Sequence, residues 1–87
     1  MMKVYVASSA DIDIICVAKT YKAAVNCLFN NDWISVKDEL MIDDEMTTLE
    51  EYFGKDCIDM MAETWDEDMF NEFWCGDFWI HTYEVIE

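Results

Sequence analysis

The chain has no arginine and no proline, only two glycines, and a single histidine among its 87 residues. Each scarcity removes something. Phosphate-handling sites want guanidinium forks or glycine-rich loops, and Gly54 and Gly76 are both placed to end helices instead. His81 stands between Ile80 and Thr82 in an apolar run, where histidine is more often packed or half-exposed than a catalytic base. Five lysines against twenty acids give a formal net charge of −15, so direct binding to nucleic acid is disfavoured. There is no Cys-x-x-Cys pair: Cys16, Cys27, Cys57 and Cys75 are widely spaced and are expected as free thiols. No apolar run nears the roughly 18 residues that span a bilayer. The opening Met1-Met2-Lys3 leads into apolar residues broken by Ser8, Ser9, Asp11 and Asp13, unlike a signal peptide. The expectation is a cytoplasmic protein with no enzyme activity, no cofactor and no membrane contact.

Metal sites are equally poorly supplied. Asp11-Ile12-Asp13 offers two carboxylates beside a turn, but a divalent cation needs further oxygen ligands. The 43–51 segment lacks the alternating ligands and central glycine of a calcium loop.

What is present is a dense apolar complement. Just over half of the residues are hydrophobic, with four Trp, four Tyr and five Phe, which is incompatible with a disordered acidic tail. No proline, repeat or low-complexity tract divides the chain, so residues 1–87 read as one small α+β domain. Residues 3–8 alternate and 12–18 are rich in β-branched side chains, with Ser9-Ala10-Asp11 as the turn of an antiparallel hairpin. Thr20 is a candidate N-cap for a helix carrying Tyr21, Ala24, Val25, Leu28 and Phe29, stopped by Asn30-Asn31-Asp32. Residues 33–42 are ambiguous: Trp33 to Val36 suits a short strand, and Lys37 to Ile42 a helical turn or an edge. Thr48 and Glu51 form a capping-box pattern ahead of a short helix ended by Gly54. Ile58, Met61, Ala62, Trp65, Met69 and Phe73 then trace one face of a long helix from Lys55 to Cys75. The closing residues 78–86 read as a strand inside the sheet, beside one strand of the hairpin. The expected architecture is a small antiparallel sheet of about three strands against two or three helices.

The charge is concentrated at one end. Residues 1–37 hold four lysines and three aspartates, whereas residues 38–87 hold seventeen acids against Lys55 alone. On a continuous 55–75 helix, Asp56, Asp59, Glu63 and then Asp66 or Glu67 form one stripe, stepping about 4.5–6 Å along the axis, near the spacing of successive phosphates on one strand. Asp68 and Glu72 on the same helix are expected to meet the same basic groups of a partner, and no lysine at i+4 relieves the repulsion. A second group, Asp43, Asp44, Glu45, Glu50 and Glu51, with Asp38 and Glu39 before it, would broaden the patch if its segment packs alongside. A solvated helix face is the ordinary explanation of such a run, and Trp74 and Trp79 are either anchors for a partner or members of the core.

The opening KVYVASS, the acidic DCIDMMAETWDEDMFNEFW and the closing FWIHTYEVIE together resemble the small acidic phage proteins that disable host defences, the anti-CRISPR and anti-restriction inhibitors that act as DNA mimics. The likeness is one of size and charge over the whole chain, without a diagnostic motif. It implies a stoichiometric inhibitor on the nucleic-acid-binding surface of a Cas nuclease, a basic partner whose grooves attract carboxylates. The alternative is an acidic adaptor or assembly protein that pairs through a strand edge or aromatic patch, its charge serving solubility. A homodimer that completes its small core across an interface is compatible with either.

Overall fold

The computed structural model describes residues 2–86. In chain order the elements are β1 (Met2–Ser9), β2 (Cys16–Ala18), α1 (Tyr21–Asn30), β3 (Glu39–Ile42), β4 (Glu45–Thr48), α2 (Leu49–Phe53), α3 (Cys57–Glu63), α4 (Glu67–Trp74) and β5 (Phe78–Val85). A three-stranded antiparallel sheet runs β2-β1-β5, and β3 and β4 form a separate hairpin. The fold is therefore α+β, as the hydrophobic periods predict.

Alternation along β1 and β5 sorts the sheet into two faces. Ala7 lies opposite Ile80 and Cys16, and Tyr5 opposite Thr82 and Ala18. This face meets the helices: Ala7 and Ile80 are fully buried with Val25 and Leu28 of α1, Met61 of α3 and Phe70 of α4. Truncating a side chain such as Phe70 to alanine costs about 3–5 kcal/mol. Cross-strand partners share a face, so Val4, Val6, Val17, Trp79, His81 and Tyr83 form the other one. No helix covers it, and Val17 and Tyr83 are 57% and 54% exposed.

Four expectations need correcting. The closing strand sits at the sheet's edge, not inside it, because β1 is the strand that finds partners on both sides. The first hairpin pairs only residues 16–18 with β1; residues 10–15 form a loop tied by Ile15 N–H to Ala7 O at 2.8 Å and by the Ser8 hydroxyl to Asp13 O. Cys16 and Cys27 are joined as a disulfide, because β2 turns directly into α1 and brings the two cysteines, eleven residues apart, face to face. Cys57 and Cys75 are free.

The fourth correction concerns the long helix, which is two. Thr64 ends α3, its hydroxyl donating back to Met60 O at 2.6 Å. Asp66 is extended (ψ −179°), and its carboxylate accepts the Met69 N–H at 2.9 Å as the N-cap of α4. Glu67 and Asp68 then lie in the first turn, where the helix dipole favours acids. Trp65 packs in the break against Phe53 and Phe73, with ring centroids 5.7 and 5.3 Å away, so the interruption is held by an aromatic cluster.

Other local readings hold. Thr20 caps α1 and Thr48 caps α2, accepting from Ala23 N–H at 3.0 Å and Glu51 N–H at 3.1 Å. Gly54 follows α2 at φ 102°. Residues 33–36 contain no strand, and the strand lies at 39–42, within the ambiguous stretch. No helix among the described residues is long and apolar enough to cross a membrane.

Candidate acidic binding surface

The acids sort by element. Asp43, Asp44 and Glu45 occupy the tip of the β3–β4 hairpin, and Glu50 and Glu51 the first turn of α2. Asp56, Asp59 and Glu63 run along α3, while Asp66, Glu67, Asp68 and Glu72 belong to α4 and its cap. Ten of these twelve are exposed, and Glu50 and Glu67 are partly covered. Among the described residues only one ion pair relieves them, Lys22 Nζ to Glu63 Oε1 at 2.7 Å.

Three side chains sense the acids of a neighbouring element, and one of them senses acids of two. The Tyr52 phenol, which donates to the Asp43 carboxylate, is pushed up by that bond first, then by desolvation and by the charges of Asp43 and Glu45. Burial raises the Cys57 thiol, and Glu50 of α2 and Asp56 of α3 add to it. The Lys22 ammonium is raised by its bond to Glu63 and by Asp59, and Glu63 is lowered by the same lysine. The hairpin tip thus lies against Tyr52 of α2, and Glu50 of α2 lies close to the start of α3. The straight stripe expected along residues 56–67 is absent, because the chain turns at Thr64 to Asp66. Glu67 is drawn instead toward the sheet, accepting from the Thr82 hydroxyl of β5.

Both tip residues adopt left-handed backbone, Asp43 at φ 51° and Asp44 at φ 66°. Two-residue hairpin loops with both φ positive strongly favour Asn-Gly or Asp-Gly. Asp43 suits the first of these positions, whereas Asp44 stands where glycine is favoured, at a conformational cost of about 1 kcal/mol.

Of the tryptophans proposed as anchors, Trp74 is a core residue at 7% exposure, and Trp79 is half-buried on the uncovered sheet face. Met41 and Met46 face each other across the hairpin and are exposed, whereas Met60 is half-buried.

Two structural residues escaped the sequence reading. Lys22 is one: its i+41 distance from Glu63 carries no local signal. Asn71 is the other. Its carboxamide accepts from Ile80 N–H at 2.7 Å and donates to Ile80 O at 3.0 Å, so a side chain of α4 makes the two bonds a neighbouring strand would make. The outer edge of β5 is closed there. No group of three or more His, Cys, Asp or Glu side chains among the described residues is arranged to hold a metal ion.

Comparison with protein-family models, with curated proteins and with solved structures finds no match for this chain.

Proposed function

We propose that the protein is a non-catalytic inhibitor that occupies the nucleic-acid-binding surface of a basic partner, most readily a CRISPR-Cas nuclease or a related defence nuclease, by presenting carboxylates where phosphates would lie. The observation that carries this reading is unrelieved charge: ten of the twelve acids are exposed, and among the described residues only Glu63 is in an ion pair. Self-repulsion of this kind costs the compact state stability, and a cationic partner surface would relieve it. The Asp43-Asp44 tip adds support, since a cheaper turn sequence exists and carries fewer charges. The mimicry in this reading is of charge density over the hairpin tip, α2 and α3, not of a phosphate ladder along one helix.

The test is competition. Neutralising Glu45, Glu50, Glu51, Asp59 and Asp68 together to the corresponding amides leaves the Asp66 cap and the Lys22–Glu63 pair in place. The quintuple variant is expected to lose the ability to displace target DNA from the nuclease, while each single amide changes little because rim charges are individually weak. Full competition by the quintuple variant contradicts the reading.

The uncovered sheet face favours a second reading, an adaptor or a homodimer that meets its partner through apolar contacts. Its strand positions carry no carboxylate in a chain with twenty acids. A version that adds a strand to β5 is weakened by Asn71 on that edge.

A further inference from the structure

Where the far ends of β1 and β5 pass the beginning of α4, the surface opens into a cleft of about 430 Å³, within the range of small-ligand sites. Three of its walls are aromatic, Tyr5, Tyr21 and Trp65, and two are carboxylates, Asp66 and Glu67. The three rings are half-buried, unlike the fully buried Phe70 beside them, so they are not simply core.

The walls are fixed before anything enters. The Tyr21 hydroxyl donates to Met61 O at 2.8 Å, Trp65 is wedged against Phe53 and Phe73, and Glu67 is tethered by Thr82. Asp66 uses Oδ1 to cap α4. Aromatic π-faces and carboxylates both attract cations and repel anions, and a partly desolvated cleft strengthens the effect. The Tyr21 phenol is held above its ordinary value by burial first and then by the nearby Asp66 carboxylate. Lys3 also lines the cleft, yet its ammonium forms no ion pair with either carboxylate among the described residues.

We infer that this cleft is a receptor for one cationic side-chain head from the partner, a guanidinium before an ammonium, held between Tyr5, Tyr21 and Trp65 and the carboxylates of Asp66 and Glu67. Arginine is preferred because a planar guanidinium stacks on rings and offers a fork of donors to paired carboxylates. The identity of the cation's owner rests on the function proposed above; the recognition chemistry does not. It turns a diffuse electrostatic attraction into a contact with a defined centre.

The test is an NMR titration of the ¹⁵N-labelled chain with three probes: N-acetyl-arginine-N-methylamide, its neutral citrulline counterpart, and spermidine. The arginine probe is expected to shift the Trp65 indole and the Thr82 and Glu67 amides, with the citrulline probe inert. Lys3→Met removes a like charge from the lining of the cleft and should tighten binding about threefold. Asp66→Asn with Glu67→Gln keeps the helix cap and an acceptor for Thr82 while removing both charges, and should weaken binding about tenfold or more. Equal responses to arginine and citrulline, or shifts spread evenly over the hairpin and α2, overturn the inference. A stronger local response to spermidine overturns the assignment to a partner's side chain. Because no nuclease is present, failure here is separate from failure of the inhibitor reading.

Discussion

Asn71 and Tyr21 each use one side-chain group to finish what the backbone leaves open. With Asn71 replaced by alanine, the Ile80 N–H and C=O lose their partners in a part-buried position. An unmade bond of that kind costs roughly 1–3 kcal/mol. Denaturant titration of Asn71→Ala should show that loss, and size-exclusion chromatography should show new oligomers, since the bare edge of β5 becomes a template for another strand. Tyr21 has a different signature. Its phenol is raised above 10.0 by burial and by the Asp66 charge. A raised folded value stabilises fully below pH 10 and is lost as pH climbs through that value, because the unfolded chain releases the proton first. Tyr21→Phe should therefore cost about 1 kcal/mol at neutral pH, from the lost bond to Met61 O. It should also flatten the fall in stability above pH 10, read from alkaline unfolding curves.

At the scale of elements, the two hairpins and the helix break carry the arguments. Replacing Asp43-Asp44 with Asn-Gly gives the tip residues that its left-handed backbone favours, and stability should rise by about 1 kcal/mol or more. The same change should weaken inhibition, a divergence that differential scanning calorimetry and a competition assay would record together. The disulfide closes a short loop between β2 and α1. Cys27→Ala should cost about 2–3 kcal/mol under oxidising conditions and far less in reductant. If the melting temperature of the parent does not fall in reductant, the pair does not stabilise the fold.

The first and last strands and the helix caps were legible because their signals are local: Thr20, Thr48 and Gly54 act within one turn of the residues that announce them. The break at Thr64 to Asp66 was legible in principle. Asp66 followed by Glu67 and Asp68 is an N-terminus signature, but an unbroken apolar face across Trp65 masked it. The β3–β4 hairpin was hidden because its turn lacks glycine. Asn71 on Ile80, Lys22 on Glu63 and Cys16 on Cys27 were not legible, since each depends on how elements dock. Of the proposed surface, the identity of the acids was readable and their alignment was not: spacing gave a stripe only on the assumption of one helix.

At the scale of the molecule, the domain measures 46 × 25 × 22 Å and presents two surfaces of opposite kind. One is the acidic run from the hairpin tip through α2 and α3. The other is the carboxylate-free face of the sheet, with Val17, Tyr83 and Val85 exposed on it. Attraction through the first surface decays with salt, since the screening length falls from about 10 Å at 0.1 M to about 3 Å at 1 M. Apolar contact through the second does not weaken in this way. The most direct measurement is thus the dissociation constant of the protein with a basic nucleic-acid-binding nuclease at low and high ionic strength. Binding that weakens at least tenfold between about 0.1 and 0.5 M salt is the predicted result. An affinity that holds steady or tightens over that range would contradict a function carried by the carboxylates.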